Sequence, residues 1–441
     1  MNPFDPSNFD DDPMEALSRF FKDLGMPDMG DLNDSARRED LLRAMMKKIV
    51  PSHGKNSETI VWETVRQMAR QYVSSLGPDP TGSSRAQRMI AESVRLGELW
   101  MSEATTFTPV SGGVHAWSRA EWIEATLPAW KSMLEPVIET LAQAITSATG
   151  SPHDMGDDMM ASLQFALQPL LSSVISATFG AHVGEGLGKA AISTVSGTDM
   201  GLPLLGDSSI CLLTTNLNAL YQQDDIDEDS VVLYCSIREV ARQRLFHEVA
   251  WISPQIITLV QHFAREMTVD PDAMATTLED ALPEHLTSET LVSFQADFTS
   301  LLFHPERSEE QRQILGRLTT LLGLVEGWVE DVTTTVAEQW FPGWEPIAES
   351  LRRHRAASDG SSSGVTPILR LAASAKEVRE ASNFWRLIRE KQGIEARDEI
   401  WRYPESMPTS AEISDVDSFL NRPSPSEDPW DDELRKFLQE G

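Results

Sequence analysis

One stretch of this chain limits what can be built around it: Val231 to Trp251, which reads VVLYCSIREVARQRLFHEVAW. Apolar residues recur at helical spacing at Leu233, Ile237, Val240 and Leu245, and Asp229 and Ser230 offer N-cap oxygens, so the stretch is predicted to be a helix. Its middle carries Arg238, Glu239, Arg242 and Arg244. Arg238 and Arg242 stand four residues apart and therefore share a face. Arginine is permanently cationic and has no lone pair to give a metal.

The same frame, read as a motif, is Arg-Glu-x-x-Arg. In zinc peptidases that frame is His-Glu-x-x-His: two imidazoles on one face hold the metal, and the glutamate activates the metal-bound water. Here the glutamate is present and both ligand positions are arginine. Three further blocks carry a wider likeness: Ala116 to Trp130 (AWSRAEWIEATLPAW), Leu321 to Val332 (LLGLVEGWVEDV) and Arg397 to Phe419 (RDEIWRYPESMPTSAEISDVDSF). With the arginine-bearing helix, these blocks resemble a family of actinobacterial zincin-like proteins, commonly labelled hydrolases or zinc-dependent metalloproteases. The resemblance runs from about Val61 to Phe419.

That resemblance implies a mainly α-helical, zincin-like fold with at most a small β-ribbon beside the site helix. It makes Glu239 the candidate vestigial general base, and Arg238, Arg242 and Glu326 the vestigial ligand positions. The departures are specific. Arg242 stands where one branch of the family keeps its last histidine, and Tyr403-Pro404-Glu405 stands where the family has His-Pro-Asp. No metal or other cofactor is expected, and the implied function is binding of a peptide or protein partner rather than zinc-dependent hydrolysis. The alternative is an active zinc-dependent metalloprotease whose ligands come from other segments. The two arginines could supply the charge that Zn²⁺ would bring, so Glu326 is predicted to lie within hydrogen-bonding reach of Arg238 or Arg242. Glu239 has a plainer reading beside its catalytic one, as a buried carboxylate held by neighbouring arginines.

Charge narrows the partners. The chain has 37 basic and 68 acidic side chains, a formal net charge of −31. Phosphates would be repelled over most of such a surface, so neither nucleic acid nor an anionic membrane is expected, and basic or neutral partners are favoured. Two cysteines without CxxC spacing, Cys211 and Cys235, fit a reducing compartment, and MNPFDPSNFDDDP lacks the features of a secretory signal, so a cytoplasmic location is expected. Leu163 to Ala181 approaches a membrane span in length, but Gln164, Gln168 and Pro169 interrupt it and buried helices are the better reading.

Organisation follows from periodicity. Residues 1–55 read as a weakly ordered acidic arm with an amphipathic patch at Met14 to Leu24, 56–405 as the helical domain, and 406–441 as an acidic tail ending in a short helix, Trp430 to Leu438. Helices are predicted at Val61–Leu76, Ser84–Ala104, Arg119–Thr149, Pro254–Thr268, Ser288–Phe303, Ser308–Trp340 (one helix or two) and Leu369–Gln392. Ala356 to Val365 (AASDGSSSGV) reads as a flexible loop, and Gly201 to Leu213 as the best strand candidate, whose edge would suit a zincin substrate. Gly180, Gly184 and Gly188 form a bare helix face for close packing rather than a phosphate loop, since no Lys-Ser/Thr follows.

Other constellations are bland. No two of the nine histidines lie three or four residues apart, and His247-Glu248 reads as a polar helix end. No GxSxG occurs, and the tryptophans sit at helical spacing as core residues.

Overall fold

Long helices build the molecule, as the periodicity predicts. A computed structural model describes residues 56–148, 179–224, 226–266, 308–360 and 373–422. In chain order these form α1 (Asn56–Ser75), α2 (Ser84–Met101), β1 (Val114–Trp117), α3 (Arg119–Ala148), α4 (179–193), β2 (Ile210–Leu213), α5 (Thr214–Asp224), α6 (Glu228–Glu248), α7 (Ile252–Arg265), α8 (Glu309–Trp340), α9 (Glu345–Gly360) and α10 (Ala375–Gln392). Short helical turns follow from Ile394 to Leu420. The arm 1–55, most of the stretch 163–181, the predicted helix 288–303 and the tail 423–441 lie outside the described residues.

The arginine-bearing helix α6 is the centre of the fold, and it is more enclosed than a stripe of apolar residues implies. From Val231 to Leu245 every residue but Leu233 is buried. Helices α2 and α8 and strand β2 pack around it. Its N-cap is Asp227, not Asp229 or Ser230: the Asp227 carboxylate accepts from the Ser230 amide at 2.9 Å and from Ser230 Oγ at 2.9 Å. Ser230 thus spends its hydroxyl on the cap instead of forming it.

A single 32-residue helix, α8, spans the site on the other side, where the sequence left one helix or two open. Ser308 and Gln311 form a reciprocal capping box at its start. α8 and α10 run in the same direction: Gly323 lies against Glu377, Gly327 against Ala381 and Asp331 against Arg389. A Cβ on Gly327 would sit 2.6 Å from Ala381 Cβ, so only glycine permits this approach. The glycine face of α4 works the same way against α1, where a Cβ on Gly184 would lie 2.6 Å from the Val65 carbonyl oxygen.

The sheet is smaller than Gly201–Leu213 suggests. Only Ile210–Leu213 is strand, because Gly201 takes a positive φ of 72° and Pro203 and Gly206 keep the preceding segment irregular. Its parallel partner is Val114–Trp117, whose last two residues open the first resemblance block, with Val114 opposite Ile210 and Trp117 opposite Leu213. The outer edge of β1 is capped by a side chain. Gln87 Nε2 donates to the Val114 carbonyl at 2.6 Å, and Gln87 Oε1 accepts from the Ala116 amide at 2.8 Å. Two backbone groups of that edge, the Val114 carbonyl and the Ala116 amide, are therefore already paired.

Two boundaries shift. The expected loop at Ala356–Val365 is helical through Gly360, the end of α9, and residues 361–365 lie outside the described residues. Residues 406–422, assigned from sequence to the tail, fold back on α10: Phe419 meets Phe384 edge-on at 5.1 Å, and Thr409 and Glu412 form a capping box. Among the described residues most tryptophans serve the core, Trp122, Trp130, Trp328, Trp385 and Trp401 being buried, while Trp340 is exposed. Among the described residues, no helix is long and apolar enough to cross a membrane.

Candidate functional site

Two successive turns in the middle of α6 present an arginine toward α8. Arg238 and Arg242, one turn apart, both reach Glu326 on α8. Arg238 Nη2 donates to Glu326 Oε2 at 3.2 Å, Arg242 Nη2 donates to the same oxygen at 3.0 Å, and Arg242 Nε donates to Glu326 Oε1. The arrangement expected from the sequence, Glu326 within reach of one arginine or the other, is observed with both. Arg242 is fully buried and clasps the carboxylate with two nitrogens, the strong geometry for a guanidinium.

Four more side chains complete the cluster, and none was singled out from sequence. Asp199, from the turn after α4, accepts from Arg242 Nη2 at 3.3 Å. Arg355, from α9, donates to Glu326 Oε2 at 3.1 Å and also to Asp199. Glu330, one turn beyond Glu326, accepts from Arg238 and from Arg352 Nη1 at 3.1 Å. Asp199, Glu239, Glu326 and Glu330 thus face Arg238, Arg242, Arg352 and Arg355, four carboxylates against four guanidinium groups.

Glu239 points to the other side, toward the sheet. Ser196 Oγ donates to it at 2.7 Å, the Thr198 amide at 3.1 Å, Thr198 Oγ1 at 2.9 Å, Gln243 Nε2 at 3.3 Å and Arg242 Nη1 at 3.3 Å. Both oxygens are engaged and the residue is fully buried. A general base needs a free lone pair aimed at water or substrate. The geometry therefore favours the plainer reading of Glu239, a carboxylate that ties the 194–200 segment to α6.

The electrostatics follow from the pairing. Burial opposes charge on Glu326, but Arg242, Arg355 and Arg238 outweigh it and hold its pKa at about 2. Burial likewise opposes charge on Asp199, and Arg355 and Arg242 overcome it, leaving its carboxyl well below the usual range. For Glu239 burial wins against Arg242 and the surrounding donors, and its pKa is raised. A carboxylate whose pKa falls on folding contributes stability that is present above its unfolded value, 4.5 for Glu326, and that is lost as pH falls toward the folded value of about 2. Glu239 has the opposite sign, because acid relieves a buried charge. Glu326→Gln should therefore be less stable than the wild type at pH 7, with the gap closing between pH 4.5 and 2. Urea midpoints of both proteins across that range test this. Parallel curves would remove Glu326 from the account.

The donor set does not suit zinc. Guanidinium groups occupy the two helix positions where imidazoles would have to be, and the nearby carboxylates are already neutralised by arginine. The other sequence candidates lie apart from the cluster. Tyr403, Pro404 and Glu405 sit in an exposed turn. His247 pairs with Ser208 Oγ at 3.2 Å, and Glu248 accepts from Thr108 Oγ1 at 2.7 Å, as polar helix-end residues do. Both cysteines are free and buried, and burial raises both thiol pKa values, that of Cys235 to about 12. Among the described residues, one trio has metal-ligand chemistry within reach: His262, Glu266 and Glu310, whose ligand atoms lie within 4.8 Å of one another. It is largely exposed, and Glu310 precedes Glu326 on α8 by about 24 Å at the usual helical rise.

Comparison with known proteins places this geometry in context. A family model described as zincin-like metallopeptidase matches residues 60–420. Among solved structures, the chain is similar to one from Chloroflexus aurantiacus described as "a putative hydrolase with a novel fold". The TM-score is 0.53 at 16% identity, covering 82% of this chain and 99% of that one, a likeness of fold alone. No curated protein matches the chain.

Proposed function

The chain belongs to the zincin-like metallopeptidase family, and from that premise we propose that it does not hydrolyse peptides with zinc but binds a peptide or protein partner. One observation carries the reading: Arg238 and Arg242, which the resemblance puts at the ligand positions of the zinc helix, both pair with Glu326, the candidate third ligand. The helix, the intervening glutamate and the downstream glutamate are kept as a scaffold, with the cation supplied in cis. A guanidinium cannot lower the pKa of a bound water as zinc does, and without that the retained Glu239 has no activated nucleophile to make. The acidic surface favours a basic or neutral partner over nucleic acid or an anionic membrane.

Casein and a mixed peptide library, incubated with the full chain with and without zinc and with and without chelator, test the enzymatic side. The expected result is no cleavage above that of a Glu239→Gln control. Chelator-sensitive cleavage that this control lacks would overturn the reading.

A further inference from the structure

The four arginines of the cluster are not equivalent. The side chains of Arg238 and Arg242 are 3% and 0% exposed and belong to the central helix. Those of Arg352 and Arg355 are 54% and 27% exposed and belong to α9. The apolar anchors of α9, Ile347, Ala348 and Leu351, lie in its first half. From Arg352 to Arg355 the side chains make polar contacts over the cluster: Arg352 to Glu330, His354 Nε2 to the Ser193 carbonyl at 3.0 Å, and Arg355 to Asp199 and Glu326. Without α9, four carboxylates would face only Arg238 and Arg242. Asp199 and Glu326 would then share too few cations, an arrangement that a basic group would relieve.

We infer that the Asp199–Glu326 carboxylate pair is a receptor site for an arginine side chain of a partner peptide, filled in the free chain by Arg355 as an internal stand-in. The proposal rests on the partner-binding reading above and names where, and by what chemistry, the partner is recognised. Arg355 shows how the site holds its ligand. One terminal nitrogen reaches Glu326 Oε2 at 3.1 Å and the other reaches Asp199, so one planar group bridges two carboxylates from different elements. That forked spacing suits guanidinium better than the point charge of an ammonium. The formal charge of −31 would draw a basic segment toward this surface, and displacement of Arg355 would free the second half of α9.

The test uses the full chain, Arg355→Ala, and ethylguanidinium as the probe, with ethylurea as its uncharged counterpart. Ethylguanidinium in excess over its Kd is expected to raise the Tm of the variant by about 2–4 °C more than that of the wild type. Ethylurea should do nothing, and adding Asp199→Asn should remove the response. Acetyl-Gly-Arg-Gly-amide should bind the variant about tenfold more tightly than the wild type by calorimetry, and the citrulline analogue should not. If the alanine variant does not fold, Arg355→Met, which keeps the side-chain stem, takes its place. Equal responses from variant and wild type, or equal effects of ethylguanidinium and ethylurea, overturn the proposal. So does stabilisation of the variant by zinc or manganese chloride in place of ethylguanidinium, which would make the pocket a divalent-cation site. None of these outcomes bears on zinc hydrolysis by the wild type, so the two readings fail separately.

Discussion

Arg242→Ala is expected to destabilise the full chain by about 3–5 kcal/mol, read as a fall in the urea midpoint at pH 7. Arg242 is fully buried and donates to three carboxylates, Glu326, Asp199 and Glu239. Removing it strands charge that no water can reach, and an unpaired buried charge costs far more than the intact pair contributes. Arg238 and Arg355 still touch Glu326, so the loss falls short of full collapse. Arg242→Lys separates charge from shape: a point charge cannot reproduce the two-nitrogen clasp, and the lysine variant should recover only part of the loss. A midpoint within about 0.5 kcal/mol of the wild type for the alanine variant would mean that the cluster contributes little to the fold.

Arg397→Ala is expected to cost about as much, 3–5 kcal/mol, although it lies outside the candidate site. The fourth resemblance block opens with this residue. Arg397 is fully buried and donates to Asp331 Oδ2 at 2.8 Å, to Asp398 Oδ1 at 2.9 Å and to the Ala104 carbonyl at 2.7 Å. Asp398 in turn accepts from Thr105 Oγ1 at 2.7 Å, the Thr106 amide at 2.8 Å and Trp328 Nε1 at 3.0 Å. One Arg-Asp pair thus stitches the end of α2, the middle of α8 and the C-terminal turns together. The guanidinium also stacks over Trp328, 5.5 Å from the ring centroid. Losing it should lower the unfolding midpoint without altering any metal or partner assay. A variant as stable as the wild type would show that the C-terminal turns dock independently of this network.

What the sequence made legible has a physical pattern. Arg238, Glu239 and Arg242 could be read because helical periodicity fixes which residues share a face. Glu326 came through the resemblance, and charge complementarity pointed to its meeting one arginine or the other, while the structure brings it to both. Asp199, Glu330, Arg352 and Arg355 carried no comparable signal. Asp199 belongs to an irregular turn, and α9 is not among the predicted helices, its charged residues running into a Gly/Ser-rich stretch, AASDGSSSGV, that reads as a loop. Which of its arginines turns inward depends on how α9 sits over the cluster. The strand β1 was hidden because four residues, VHAW, show too little alternation to stand out, and its capping by Gln87 joins segments 27 residues apart. The N-cap misreading of α6 had a local cause: Asp227, Asp229 and Ser230 are all capping residue types, and only the hydrogen bond to the Ser230 amide separates them.

In the function we propose, arginine has taken the place of the metal on this helix. Zinc stoichiometry tests it most directly: the purified full chain is equilibrated with zinc sulfate, passed over gel filtration and measured by elemental analysis, beside Arg238→His/Arg242→His prepared in the same way. The wild type is expected to retain essentially no zinc, while the double variant, with two imidazoles four residues apart and Glu326 beside them, gains metal. One tightly held zinc per wild-type chain, insensitive to the histidine substitutions, would contradict the account.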